Sequence, residues 1–133
     1  MGGGEVAERK AERLLECGAE VVVIGRELTP GLMRLAGEGK VKHIASDYDD
    51  QLIKDAYLVI GATDDAAVNE SVRRKANREG ILINIVDDLE KCDFILPSIY
   101  QKGDLQIAVS TGGASPALAK RIRLDLERIY GEE

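Results

Sequence analysis

The first seven residues carry the spacing of a dinucleotide-binding turn. Gly2, Gly4 and Ala7 match the pattern Gly-x-Gly-x-x-Ala, in which small residues permit a tight turn and let the backbone approach a pyrophosphate. A helical pattern begins directly afterwards in "EVAERKAERLL", and the free N–H groups of a helix N-terminus attract anions. No strand precedes Gly2, although one should lead into such a turn, so we interpret the chain as lacking its first strand.

An acidic residue is expected about 20 positions after such a turn, at the end of the next strand. Glu27 stands there, beside Arg26 and behind the apolar run "VVVIG". A carboxylate at this place binds the adenine-side ribose and favours NAD, whereas an adjacent arginine can accommodate the extra phosphate of NADP. We expect NAD. The alternative is that both residues are solvated loop charges.

Two more carboxylate-bearing turns follow apolar runs. In "GATDD", Thr63 and Asp64 would border the cofactor, although an aspartate there is also a common helix cap. Asp87 ends the run "ILINIV" next to Asp88. A carboxylate that is partly screened from water and close to another acid can have a raised proton affinity and act as a base; an acidic helix cap is the alternative.

A second glycine turn, "STGGASP", precedes the last helical pattern. Its N–H groups, with the Ser110 and Thr111 hydroxyls, could form an anion site. The alternative is a connection that ends in the helix cap Ser115. His43 is the only histidine and is expected on a strand in a structural role. We predict no metal site.

Strand and helix patterns alternate through residues 1–93, which predicts right-handed βαβ crossovers and a parallel sheet. Beyond residue 93, two β-runs join at Lys102-Gly103-Asp104, and a helix begins at Pro116 with an apolar stripe of Leu118, Ile122, Leu126 and Ile129. The predicted fold is therefore α/β. It combines a Rossmann-like parallel sheet with helices on both faces (1–93) and a small β extension with a C-terminal helix for dimerisation (94–133).

The composition limits the classes of function. Lys and Arg number 18 against 24 Asp and Glu, a net charge of −6, which disfavours nucleic acid and anionic membranes as partners. No apolar run approaches the roughly 20 residues that span a bilayer. Cys17 and Cys92 are far apart, as in a protein with reduced thiols. We expect a cytoplasmic protein.

Taken together, five stretches resemble the siroheme synthase amino-terminal family, the precorrin-2 dehydrogenases. They are "GGGEVAERKAERLLECGAEV", "LVIGATDDAAVNESV", "INIVDD", "DFILPSIY" and "IAVSTGGASPALAKRIR". The resemblance runs from Gly2 to about Ile129, and its tail motifs are much more specific than the glycine turn. It implies a homodimeric oxidoreductase acting on CH–CH bonds, which uses NAD to oxidise precorrin-2 to sirohydrochlorin in siroheme (porphyrin-type) biosynthesis, with possible additional ferrochelatase activity.

The resemblance also implies roles for individual residues. Asp87 would be the general base. The cofactor contacts would be Gly2, Gly3, Gly4, Glu5, Val6, Arg26, Glu27, Thr63 and Asp64. The tetrapyrrole carries many carboxylates, so its binding residues would be Ser110, Thr111, Gly112, Gly113, Lys120 and Arg121, with Arg123 as a further candidate; solvated helix charges are the alternative for the last three.

The sequence departs from this family at both ends, because the first strand and a C-terminal helical segment are missing from it. Two other interpretations remain open at this stage. One is the NAD-binding regulatory domain of a potassium transport protein, which also has a glycine turn and an "ATDD" strand end. The other is a catalytically inactive dimerisation module, which would bind cofactor without turnover.

Overall fold

The computed structural model describes residues 1–131 and divides into two compact units, Met1–Asp93 and a second unit that begins at Phe94. Strands and helices alternate in the first unit. Its helices are α1 (Glu5–Glu16), α2 (Pro30–Gly37) and α3 (Ala66–Glu79), and its strands are β1 (Val21–Ile24), β2 (Val41–Ile44), β3 (Leu58–Gly61) and β4 (Leu82–Ile85). Short 3₁₀ turns cover Asp50–Ile53 and Leu89–Lys91. The second unit contains β5 (Ser98–Lys102), β6 (Leu105–Val109) and α4 (Pro116–Gly131).

Local sequence signals fix where the helices begin and end. The Thr29 hydroxyl accepts a hydrogen bond from the Leu32 N–H at 3.2 Å, with Pro30 at the first helical position of α2. Asp65 caps α3 through the N–H groups of Ala67 and Val68. Gly80 ends α3 with a left-handed φ of 69°, a conformation that costs glycine little.

The four strands of the first unit form two parallel pairs. β1 pairs with β2 so that Ile24 lies opposite Ile44, and β3 pairs with β4 so that Gly61 lies opposite Ile85. Parallel strands that end in register deliver their following loops to the same edge of the sheet. The loops after β1 and β2 are therefore neighbours, and so are the loops after β3 and β4.

The first two residues bridge the two strand pairs. The Met1 amino group donates to the Ile60 carbonyl at 2.8 Å, and the Met1 carbonyl accepts from the Ala62 N–H at 2.8 Å. On the other side, the Gly2 N–H donates to the Ile24 carbonyl at 2.9 Å. Within residues 1–131 no ladder joins β1 to β3 directly, so the expected sheet is two parallel pairs connected by Met1 and Gly2.

Two apolar clusters lie on opposite faces of β1. Val21 and Val23 pack with Leu32, Leu35 and other side chains of α1 and α2, whereas Ile24 belongs to a second cluster formed mainly by α3, β3 and β4. Successive side chains of a strand point to opposite faces. β1 therefore contributes to an apolar cluster on each of its faces, although Val22 stays exposed, and the predicted α/β class is confirmed.

The second unit has little core of its own. β5 and β6 form an antiparallel hairpin, and α4 packs on both strands. Among the described residues of this unit, only Tyr100 and Ala119 are buried. Its exposed large apolar side chains are Leu96, Leu105, Leu118, Ile122, Leu124, Ile129 and Tyr130.

No helix in residues 1–131 is long and apolar enough to cross a membrane.

Adjacent residues of α2 provide a test of the core. Leu32 has 0% exposure and Met33 has 56%. We expect Leu32→Ala to lower the free energy of unfolding by about 2–5 kcal/mol, since it removes buried methyl groups and leaves a cavity. Met33→Ala, on the same helix, should change it by less than about 0.5 kcal/mol. Urea unfolding measures both, and equal losses would contradict this assignment of the core.

Candidate functional site

A cavity of about 580 Å³ lies at the carboxyl edge of β1, β2 and β3. It opens beside the glycine turn, between the loops that follow these strands. Its lining residues are Met1, Gly2, Gly3, Gly25, Arg26, Glu27, Ser46, Asp47, Tyr48, Thr63, Asp65, Ala67, Val68 and Ser71. Ligands of open α/β sheets bind at this edge.

The glycine turn is clamped between two other backbone segments. Gly2 has a φ of 110°, and a Cβ on it would collide with the carbonyl oxygen of Ala62. A Cβ on Gly3 would collide with the carbonyl oxygen of Glu27. The Thr29 N–H also donates to the Gly3 carbonyl at 3.0 Å. The turn therefore needs glycine at positions 2 and 3 for its own folding.

The N-terminal end of α1 has no side-chain cap. Gly4 is the N-cap, no side chain caps the helix, and a Cβ on Gly4 would meet no atom within 4 Å. The first N–H groups of a helix have no intrahelical partners, so at this uncapped end they are free to bind an anion. Burial meanwhile lowers the pKa of the Met1 amino group to about 6.

The turn after β3 is held by side chains of α3. Asn69 Nδ2 donates to the Thr63 carbonyl at 2.9 Å, and the Asp65 N–H donates to the Thr63 hydroxyl at 3.1 Å. Asn69 Oδ1 is buried without a hydrogen-bond partner among the described residues. Gly61 has no room for a Cβ, because Ile85 and Asn69 occupy that space. These contacts fix Thr63 at the cavity wall.

The loop 86–93 carries Asp87 and is held against β4 by hydrogen bonds. The Asp93 N–H donates to the Ile83 carbonyl at 2.8 Å, and its carboxylate accepts from the Ile83 N–H at 3.0 Å. Cys92 Sγ lies 3.2 Å from the Ile85 N–H, which donates to it. The Val86 N–H donates to the Gly61 carbonyl at 2.9 Å. The position of Asp87 is therefore fixed by backbone and side-chain bonds at both ends of the loop.

Asp87 and Asp88 have different environments. The Asp88 carboxylate forms an ion pair with Lys91 at 2.8 Å. The Asp87 carboxylate is exposed and has no bonded partner within the described part of the chain. Asp87 is also the one described non-glycine residue with a positive φ, at 62°. Backbone strain of this kind often marks functional positions.

Lys10 of α1 provides a positive charge near Asp87. Burial, which is the largest effect, and Arg9 lower the pKa of Lys10, whereas the charge of Asp87 raises it.

Within residues 1–131, no group of three or more His, Cys, Asp or Glu residues is placed to hold a metal ion.

The second glycine turn lies in the second unit. The Ser110 hydroxyl accepts from the Gly112 N–H at 3.1 Å, and the Thr111 hydroxyl accepts from the Ser115 N–H at 2.8 Å. Gly112 and Gly113 have left-handed φ values of 63° and 86°. Ser115 Oγ caps α4 by accepting from the Leu118 N–H at 3.3 Å. The Ser110 and Thr111 hydroxyls therefore stabilise the turn itself.

Of the three basic residues predicted on α4, Lys120 and Arg121 are exposed, whereas Arg123 is half-buried and forms an ion pair with Glu127 at 2.7 Å. Arg121 lies 3.5 Å from the Asp125 carboxylate, whereas Lys120 has no ion pair among the described residues.

The cavity lining contains only part of the predicted cofactor set. Its members from that set are Gly2, Gly3, Arg26, Glu27 and Thr63, and the remaining four, Gly4, Glu5, Val6 and Asp64, do not line it. Sequence reasoning missed Ser46, Asp47, Tyr48, Asp65 and Ser71 as lining residues. The parallel register of β1 and β2 was the available signal for the first three, since the loop after β2 must lie beside the loop after β1.

Comparisons with known proteins identify relatives of both units. Residues 1–98 match the family described as "Putative NAD(P)-binding", and residues 102–129 match the family described as "Sirohaem biosynthesis protein central". A siroheme synthase of Methylobacillus flagellatus is 44% identical over 129 residues, which are 97% of this chain and 28% of that protein. A siroheme synthase of Nitrosococcus oceani is 45% identical over the same shares of the two chains. The chain thus spans less than a third of the length of these relatives.

A solved structure is also similar. The structure of SirC, a precorrin-2 dehydrogenase, superimposes with a TM-score of 0.86 and 29% sequence identity, covering 97% of this chain and 63% of that one.

Substitutions of the neighbouring residues Gly3 and Gly4 test whether the backbone clamp is needed for folding. We expect Gly3→Ala to lower the free energy of unfolding by about 1–3 kcal/mol, because its methyl group meets the backbone of Glu27. Gly4→Ala meets open space and should cost a few tenths of a kcal/mol to about 1 kcal/mol, since alanine is a weak N-cap. Thermal and urea unfolding measure both variants. A Gly3→Ala protein as stable as the parent would contradict the clamp.

Proposed function

Because the chain belongs to the family described as "Putative NAD(P)-binding" and its residues 102–129 match the central part of sirohaem biosynthesis proteins, we propose that it is an NAD-dependent dehydrogenase that oxidises precorrin-2 to sirohydrochlorin. The observation that carries the proposal is the cavity beside the clamped glycine turn, in the same unit as the unpaired carboxylate of Asp87. A regulatory domain of potassium transport is not favoured, since the similar proteins are named for siroheme synthesis.

The cofactor would lie along the carboxyl edge of the strands. The uncapped start of α1, at Gly4 to Val6, suits the pyrophosphate. Glu27 offers a carboxylate to the adenine-side ribose. Thr63 and Asp64 would flank the nicotinamide half, after β3. Bound NAD supplies the hydride acceptor.

Asp87 would act as the general base. Oxidation of precorrin-2 removes a hydride and a proton from the macrocycle, so two electrons leave with the hydride and the proton needs an acceptor. A carboxylate that has no competing partner is available for that proton. Asp88 is less suited, because Lys91 already occupies its carboxylate at 2.8 Å.

The second unit would bind the substrate and the partner subunit. The substrate carries several carboxylates, and the cationic side chains of Lys120 and Arg121, with the turn Ser110 to Gly113, are among the groups of this unit that suit anions. The protein is proposed to be a homodimer. Leu118, Ile122 and Ile129 project from one face of α4 by helical spacing and are exposed.

The test of the reaction is anaerobic incubation with precorrin-2 and NAD. We expect NADH and sirohydrochlorin to appear together, and Asp87→Asn to slow both by about 100-fold or more through loss of the base. Asparagine tolerates a left-handed φ well, so thermal stability and NAD affinity should be retained.

Asp88→Asn is the matched control for this variant. It removes the neighbouring charge and the half-buried ion pair to Lys91, and it should retain most of the activity. Equal losses in the two variants would contradict the role of Asp87, and absence of NADH from the parent protein would contradict the dehydrogenase.

The dimer is tested on α4. Ile122→Glu places a charge in the exposed apolar stripe, and we expect it to shift the protein to monomer in analytical ultracentrifugation. Ala117→Glu places the same side chain at an exposed position in the first turn of the same helix, and it should leave the dimer intact. A monomeric parent protein would contradict the proposed dimer.

A further inference from the structure

We propose that Asp47, on the loop after β2, makes the cofactor site select NAD against NADP. The inference rests on the proposed function, because it assumes that the cavity beside the glycine turn binds a dinucleotide. It adds a specificity-determining residue that lies 21 positions beyond Arg26, on the loop after the next strand.

The backbone fixes Asp47 beside Arg26. β1 and β2 end in register at Ile24 and Ile44, and the Gly25 N–H donates to the Ile44 carbonyl at 3.1 Å. The Ser46 N–H also donates to that carbonyl, at 3.0 Å, and turns the chain after β2 toward the cavity. The Ser46 hydroxyl donates to the Asp47 carbonyl at 2.9 Å. Asp47 and Arg26 therefore face one another because of strand register and this turn.

Arg26 and Asp47 form a bidentate ion pair. Arg26 Nε lies 2.7 Å from Asp47 Oδ1, and a terminal guanidinium nitrogen lies 2.6 Å from Oδ2. The hydrogen bond from Arg26 holds the pKa of Asp47 below its usual value. An arginine accommodates a 2′-phosphate with the same pair of N–H groups. In this structure Asp47 already occupies them.

The charges at this part of the cavity discriminate between the two cofactors. Glu27 and Asp47 provide two carboxylates against the single cation of Arg26. The 2′-phosphate of NADP would have to displace Asp47 from Arg26 and remain near both carboxylates, which repel it. The 2′-hydroxyl of NAD is neutral and can donate to Glu27 without disturbing the ion pair.

The ion pair is suited to this role because it contributes little to folding. Its side chains are 71% and 75% exposed, and exposed ion pairs add little to stability. Removal of the Asp47 charge should therefore change nucleotide preference without unfolding the protein.

The test compares dissociation constants of NAD and NADP by calorimetry at fixed ionic strength. We expect Asp47→Asn to raise the affinity for NADP relative to NAD by about tenfold, because it frees Arg26 and removes one repelling charge. The double variant Arg26→Gln with Asp47→Asn should lose most of that gain. Asp55→Asn removes an exposed carboxylate that does not line the cavity, and it should leave the ratio unchanged.

The outcomes separate this inference from the function on which it rests. If the parent protein binds NAD and Asp47→Asn leaves the ratio unchanged, or Asp55→Asn changes it equally, the role of Asp47 is overturned and the dehydrogenase proposal stands. If the parent protein binds neither nucleotide, both are overturned.

Discussion

The hydrogen bonds of Met1 and Gly2 to two separate strands are the constraint on which the first unit depends. They join the carboxyl end of β1 to that of β3, and no other ladder within residues 1–131 connects the two parallel pairs. Gly3 extends the same connection to the loop after β1 through its bond to Thr29. The cavity lies where these segments meet, so its shape follows from main-chain hydrogen bonding and from the absence of side chains at Gly2 and Gly3.

The register of the parallel strands places functional groups of adjacent loops next to one another. Because β1 and β2 end together, Arg26 and Asp47 face one another across adjacent loops. Because β3 and β4 end together, the Val86 N–H reaches the Gly61 carbonyl and the loop carrying Asp87 begins there. The pairs of loops thus bring together residues far apart in the chain.

Asp87 and Asp88 illustrate how neighbouring residues of one type acquire different properties. Asp88 lies in the half-buried position where Lys91, one turn away, can reach it. Asp87 stands in a left-handed backbone conformation, and its carboxylate forms no ion pair or hydrogen bond among the described residues. A free carboxylate held by a fixed backbone suits proton transfer, whereas a paired one suits structural anchoring.

The second unit buries few of its side chains. Its hairpin and α4 bury only Tyr100 and Ala119 among the described residues, and the Tyr100 hydroxyl is buried without a partner there. The predicted apolar stripe of α4 divides, since Leu126 is half-buried while Leu118, Ile122 and Ile129 stay exposed. Periodicity identified the stripe, but it could not tell how much of it would pack within the unit.

The helix and strand positions and the fold class follow from local signals in the sequence. The caps at Thr29 and Asp65, the left-handed Gly80 and the apolar strand runs each act within a few residues, so their signals can be seen in the chain. Which distant groups meet depends on the folded chain. It placed Asp47 on Arg26, left Asp87 unpaired and kept Gly4 outside the cavity lining, because these outcomes depend on strand register and loop conformation rather than on spacing along the chain.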